Sequence, residues 1–480
     1  MTAVHGKGGR GRKAPRWWRS QSRARRVVWA MLMSVSLVAA MITVGTRGAA
    51  APGPKCPKDS GLTFATGDDV SKGSFRRDMV AIWNGRNPPG KQVTVMELPE
   101  HTDDVRAAMV SKAQAGSCAF DILAIDVAWV TEFARHGYVR EIRLRPEERA
   151  LFLGKPLGTG FVDGRQYAVP FYTDAQLLFS RSDLPPARTP AELTSLASRH
   201  KLAAQLGDYE GGTVNILQAM SAHGAKINDG DEIVLDEPGN ARLALEALHR
   251  LRQMLRNNAL AGPAEDMDEE ASLMAFENRA AGYMLSWPSF FHRLAASPSM
   301  LDEDGDPMLR VTPVPGAGVL GGSDLAISST SAKYAEAREF IMFLAGAEIQ
   351  ERLFACSGYA PVLKSVYDVY RTAPRTCEDL PWLEKPSPTP AAGDDIELPD
   401  ITAGQLSRFA AAIRSAVEAA VARPPATHYA TFSEVFRDCT RRVIVNELAP
   451  EELDFGRFAD ALRAALDGRR YDEDPCRVPQ

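Results

Sequence analysis

A chain of 480 residues with 45% hydrophobic content is too long for one ordinary domain and apolar enough to fill two cores, which excludes a disordered polypeptide. The formal net charge is −5, and residues 1–50 carry ten Lys or Arg and no acid, so the remainder carries −15. A field of that sign excludes nucleic acid and anionic lipid as partners of the remainder, because phosphate binding needs the opposite charge.

Nine of the ten basic residues fall within the first 26 positions, ending in Arg23-Ala-Arg-Arg26, and an uncharged apolar run follows from Val27 to Thr46. This order marks an export signal. The run is about twenty residues, long enough to span a bilayer. Gly48, Ala49, Ala50 and Ala51 supply small residues for a signal peptidase, so a cleaved signal and a retained signal anchor both stay open. Cys56 follows Gly-Pro-Lys rather than the small aliphatic triplet of a lipid-anchored protein. Positive-inside logic leaves the basic arm in the cytoplasm and everything after Ala51 outside, secreted or held at the extracellular face of the membrane. Six cysteines in an exported chain allow three disulfides in fifteen connectivities, and none has metal-ligand spacing. The expected pairs are Cys56–Cys118, Cys356–Cys377 and Cys439–Cys476.

Beyond the signal, Leu62-Thr-Phe-Ala65 reads as a strand that breaks at Thr66-Gly67-Asp68-Asp69, followed by a helix near Phe75 to Asn84. Val93 to Leu98 is a second strand, Asp103 begins a helix through Ala115, and Phe120 to Ile125 is a buried strand with Asp126 at its end. Alternating strand and helix predict a parallel, doubly wound sheet. Ligands bind such sheets outside the carboxyl ends of the strands, where Asp68, Glu97 and Asp126 fall. Gln166 to Pro170 and Ala175 to Ser180 read as two strands with Phe171-Tyr-Thr-Asp174 between them as a crossover. The chain then becomes mostly helical through Leu260, with breaks at Gln205 to Gly212 and Gly224 to Pro238, as in a second lobe.

Ala280 to Trp287 is a buried strand ending at Pro288. Leu309 to Pro315 reads as a strand that returns to the first lobe, and Gly316, Gly318, Gly321 and Gly322 as a glycine loop ahead of the strand Leu325 to Ser328. An amphipathic helix from Lys333 to Leu344 follows, Pro386 to Pro399 reads as a loop, and the segment from Ile401 to Arg470 is helical apart from Arg423-Pro-Pro425. The expected organisation is a signal region at 1–50, a first lobe from 59–174 and 311–357, and a second from 175–310 and 358–480. Repeated crossings between lobes imply a hinge.

Asp126-Val-Ala-Trp-Val-Thr-Glu-Phe-Ala-Arg-His-Gly-Tyr138, Tyr167 to Leu184, Tyr209-Glu-Gly-Gly212, Trp287 and the block from Leu309 to Pro361 carry a family likeness. Taken in order, they resemble the extracellular solute-binding proteins of ABC importers, in the carbohydrate branch that takes maltose, trehalose and related oligosaccharides. The resemblance spans about Leu62 to Ala465 and implies an α/β, two-lobe clam-shell of the periplasmic-binding-protein kind that closes on a sugar and delivers it to the transmembrane subunits of an ABC permease. It also implies a monomer without cofactor or metal. By position, the cleft contacts would be Asp68, Glu97, Asp126, Asp174, Tyr209, Glu210 and Trp287, with backbone contacts at Gly321 and Gly322 and a further contact at Arg423. The absent lipid-anchor signal departs from the usual Gram-positive pattern.

These residue types suit a sugar, whose hydroxyls bond carboxylates and whose C–H faces stack on indole or phenol rings. Each also has a plainer role: Asp68 and Asp126 as helix caps, Trp287 as core, Glu97 as a solvated strand end, Gly321 and Gly322 as a tight turn. Tyr209 and Glu210 lie between glycines and polar residues and are expected to be exposed. The glycine spacings Gly316-x-Gly318-x-x-Gly321 and Gly6-x-Gly8-x-x-Gly11 lack the strand and helix context of a dinucleotide site, and no nucleophile elbow, paired-histidine zinc motif or P-loop occurs. No catalytic residue is assigned. The alternatives are a ligand sensor that presents its closed form to a membrane receptor and, behind it, a secreted glycoside hydrolase using paired carboxylates.

Overall fold

In the computed structural model the described residues are 56–477 apart from 59, 70–74, 100, 382–400 and 472–473. Residues 55–480 form one unit. The basic arm, the apolar run and the expected loop at 386–399 lie outside the described residues. Among those described, no helix is long and apolar enough to cross a membrane.

The strands that position the site are β1 (Leu62–Thr66), β2 (Val93–Glu97), β3 (Ile122–Asp126), β4 (Ala168–Ala175), β5 (Leu177–Arg181), β6 (Leu202–Ala203), β7 (Tyr283–Ser286), β8 (Leu309–Pro313) and β9 (Leu320–Ile327). A five-stranded sheet has the order β2-β1-β3-β9-β4, and a four-stranded sheet the order β8-β5-β7-β6. The helices used below are α1 (Phe75–Arg86), α2 (Thr102–Gln114), α3 (Glu210–Ala222), α4 (Pro238–Arg256), α5 (Glu269–Glu277), α6 (Tyr334–Leu344), α7 (Ala403–Ala419), α8 (Tyr429–Ile444) and α9 (Phe455–Leu466). The two sheets are the frames of the two lobes.

The first sheet starts as the sequence predicts, with β1 parallel to β2 and β3. The continuous apolar run Ile122-Leu-Ala-Ile125 is buried, as strands covered on both faces require. Phe64 meets Phe171 and Phe340 edge-on, with ring centroids 6.2 and 5.8 Å apart, contacts worth about 0.5–1.5 kcal/mol each beyond their buried area. Asp121, just before β3, pairs with Lys333 at 2.8 Å and accepts hydrogen bonds from the Thr63 amide and the Ser331 hydroxyl, which staples β1 and the start of α6 together. In the second lobe α3, α4, α8 and α9 pack on one another. The three disulfides are Cys56–Cys118, Cys356–Cys377 and Cys439–Cys476, the pairs expected.

Four features differ from the sequence reading. The expected crossover at 171–174 is instead part of the continuous strand β4, and Pro170 is tolerated there because a bulge between Ser323 and Asp324 falls opposite it. Gly321 and Gly322 lie in β9 rather than in a loop. β9 runs antiparallel to both β3 and β4, so the sheet is mixed rather than wholly parallel. Finally, β8 does not return to the first lobe. It pairs residue for residue with β5, from Leu309 opposite Arg181 to Pro313 opposite Leu177, and the crossing falls between Pro313 and Leu320.

Candidate functional site

A cavity of about 250 Å³ is lined from both sheets, by strand ends of the first and by Trp287 and the start of α3 from the second. Asp126 ends β3. Its Oδ1 accepts the Ala128 amide at 2.7 Å, capping the short turn Val127–Trp129, and also a guanidinium N–H of Arg423 at 2.6 Å. The capping role and the cavity position are therefore one arrangement. Burial pushes the Asp126 carboxyl up, and Arg423 pulls against that.

Arg423 follows the Val421 segment, and its side chain is only 3% exposed. Its other terminal nitrogen donates to Glu210 Oε1 at 2.9 Å. Tyr429 donates to the same oxygen and Ser433 to Glu210 Oε2, both at 2.5 Å. Glu210, expected to be exposed, is instead buried, because it opens α3 directly beneath α8 and is held by these three partners. Burial works against the Arg423 charge, but Asp126, Tyr429 and Glu210 outweigh it and hold the guanidinium charged.

Asp174 stands on β4 opposite Gly321. Its Oδ1 is buried and accepts no hydrogen bond. Burial, then the nearby Asp126, pushes this carboxyl well above the usual range. A Cβ on Gly321 would stand 3.3 Å from both the Asp174 Cβ and the Trp287 ring, so the indole lies close to bare backbone. Gly322 has φ +113°, and a Cβ there would come within 2.5 Å of the Tyr172 carbonyl oxygen. Only glycine fits.

Trp287 ends the β7 segment half-buried, with Tyr209 nearby in the lining. Tyr209 donates its hydroxyl to Glu269 Oε2 at 2.6 Å. Glu269, in the first turn of α5, is pushed up by burial and drawn back by hydrogen bonds from Tyr209 and Trp287. Opposite lie Tyr172 and Tyr359, centroids 4.7 Å apart, and Arg76, whose charge is met by Asp69 at 3.3 Å. The Tyr359 hydroxyl donates to that same Asp69 at 2.7 Å. Burial pushes the Tyr172 hydroxyl up to about 12.

Of the ten residues singled out from the sequence, Asp68, Asp126, Asp174, Tyr209, Glu210, Trp287, Gly321, Gly322 and Arg423 line this cavity. Glu97 does not. It ends β2, one strand further out, and pairs with Arg77 of α1 through two hydrogen bonds. Sequence reasoning missed Arg76, Trp129, Tyr172, Glu269 and Tyr359 in the lining. Tyr172 had a signal, since it lies two residues before Asp174 and so on the same face of the strand. Glu269 and Arg76, on helices, had none.

Comparison with known proteins gives one consistent answer. The model of the family described as bacterial extracellular solute-binding protein matches residues 79–378. A probable ABC transporter-binding protein of Deinococcus radiodurans is 24% identical over 347 residues, 65% of this chain and 79% of that one. Among solved structures, maltose-bound MalE3 of T. maritima superposes with a TM-score of 0.67 at 21% identity, over 85% of this chain and 99% of the other. The GacH receptor of Streptomyces glaucescens, solved unliganded and with acarbose, gives 0.68 at 19% identity, over 86% and 100%. A solute-binding protein of Thermotoga lettingae bound with α-D-tagatose gives 0.66 at 19%, over 85% and 98%. These structural likenesses carry the two-lobe fold.

Proposed function

Because this chain belongs to the bacterial extracellular solute-binding proteins, we propose that it captures a carbohydrate, an oligosaccharide, in the interlobe cavity and hands it to the transmembrane subunits of an ABC permease. The observation that carries this reading is the pairing of aromatic faces with carboxylates in one cavity lined from both sheets. Trp287, Tyr172 and Tyr359 offer ring faces to sugar C–H groups, and Asp126, Asp174 and Asp68 offer acceptors to hydroxyls. The sugar-bound proteins of similar fold, with maltose, acarbose or α-D-tagatose, support the class of ligand. The Deinococcus relative supports the transporter as partner.

The same proposal includes capture without turnover, export by the signal at residues 1–50 and action as a monomer outside the cell. The test is calorimetry of the exported chain against maltose, trehalose and longer glucosides, with reducing-sugar release measured in parallel. One-to-one binding without release is expected. Failure of every member to bind at millimolar concentration, or hydrolysis abolished by Asp126→Asn, overturns the reading.

A further inference from the structure

The cavity is lined by seven carboxylates and two guanidinium groups, and both guanidinium charges are already committed. Arg76 is spent on Asp69. Arg423 is shared between Asp126 and Glu210. One carboxylate, Glu270, is met from outside the lining by both terminal nitrogens of Arg293, at 2.6 and 2.9 Å. Even so, the wall around Asp174 stays short of positive charge. The cation acting on Asp174 is the committed Arg423, while Asp126 acts on it with the same sign.

Asp174 Oδ1 is a second, independent sign, since it is buried and accepts no hydrogen bond. A neutral hydroxyl donating to Asp174 brings no countercharge, so nothing lets this carboxyl, raised by burial and by Asp126, ionise beside that like charge. A protonated amine supplies donors and countercharge together. The Trp287 ring beside Asp174, near Gly321, adds an aromatic face of the kind that attracts an organic ammonium. A hydrated metal ion would gain little from that indole. We infer that the solute carries a protonated amine, an amino-bearing saccharide, whose ammonium sits against Asp174 and Asp126 beside Trp287. This rests on the carbohydrate reading above and narrows it.

The experiment uses the chain recovered from the exported fraction and three probes: the β-1,4 disaccharide of glucosamine, its N-acetylated counterpart, and neutral maltose. Titrations are run at mildly acidic pH so that the amines are protonated. The free-amine disaccharide should bind at least about tenfold more tightly than either neutral probe at low salt. That preference should shrink as salt rises from about 20 to about 500 mM, where screening is strong. Asp174→Asn, checked for folding by its thermal transition, should bring the ratio of free-amine to neutral-probe affinity close to one, whatever it does to maltose affinity itself. Should that variant fail to fold, the wild-type preference and its salt dependence decide alone.

Neutral probes binding as tightly as the amine, without salt dependence, would overturn the inference and leave the carbohydrate reading standing. No binding by any of the three, nor by the glucosides above, would overturn both.

Discussion

Arg423 is the cation that joins the two carboxylate walls of the cavity, so Arg423→Met isolates what it contributes. Its side chain is 3% exposed and donates at 2.6 Å to Asp126 and at 2.9 Å to Glu210. Removing one partner of a buried ion pair costs about 3–5 kcal/mol, because the charges left behind have lost both water and counterion. Glu210 keeps Tyr429 and Ser433 as donors, and the Asp126 side chain is 19% exposed and open to partial hydration. Both mitigations place the expected loss near the lower end, at about 3 kcal/mol around pH 7.5. The pH dependence has a definite sign. Asp126 is already raised in the folded chain, and without Arg423 it rises further. Between its unfolded and folded values the folded state binds more protons, so the variant loses stability as pH rises and regains it as pH falls. Urea unfolding of both chains at pH 7.5 and pH 5 reads this directly. A deficit below about 1 kcal/mol, or one that stays the same at both pH values, would refute the picture of a buried, charge-neutralising bridge.

Trp287→Ala should weaken ligand binding by on the order of 1 kcal/mol or more and cost less stability than the 3–5 kcal/mol of a fully buried aromatic, since the indole is half-buried; calorimetry and denaturant unfolding measured together decide it. Glu97→Gln is the control, because its ion pair with Arg77 is largely exposed: ligand affinity should be unchanged and stability altered by less than about 1 kcal/mol. Gly322→Ala should destabilise by at least about 1–3 kcal/mol, from φ +113° and the 2.5 Å approach to the Tyr172 carbonyl, and an unchanged melting temperature would contradict the β9 geometry. Burial raises the Asp324 carboxyl to about 7 against a hydrogen bond from Thr159. It therefore lowers stability progressively as pH rises from about 4 to about 7, so Asp324→Asn should raise the melting temperature at pH 8 and leave it nearly unchanged at pH 4.

The parts of the site legible in the sequence are those fixed by strand ends. Asp126 follows a run of four apolar residues, and such a run has one place to end, at the carboxyl edge of a buried strand. Trp287 ahead of Pro288 gave the same kind of signal. Glu97 shows the limit of the rule, since it ends β2 as expected but β2 is the outer strand of the sheet, and strand order is a long-range property that no local pattern carries. The placement of Glu210 failed for a related reason. Glycines at 211 and 212 suggested exposure, yet a Cβ at Gly212 would come within 2.2 Å of the Gly207 carbonyl oxygen. Those glycines allow close packing in a buried helix start, and the partners that bury Glu210, Arg423, Tyr429 and Ser433, lie more than 200 residues further on.

The same long-range pairing explains why Arg423 matters to both lobes. The chain passes from the first sheet to the second at Gln176, the one residue between β4 and β5, and passes back between β8 and β9. Gly318 lies close enough to Gln176 that a Cβ would stand 3.3 Å from its carbonyl oxygen. Val421 runs beside this segment, donating to the Gly318 carbonyl and accepting from the Leu320 amide, both at 2.8 Å. Three backbone segments thus lie side by side where the chain crosses between the sheets, close in sequence to Asp174 and Gly321, which line the cavity. Rotation of one lobe on the other is absorbed most cheaply at such a crossing, as modest changes of φ and ψ in a few residues. Arg423 leaves the third of these segments two residues later and bonds Asp126 on the first sheet and Glu210 at the start of α3 in the second lobe. Arg423 is thereby a side chain that ties the end of β3 to the start of α3 beside the segments where the chain crosses between the sheets.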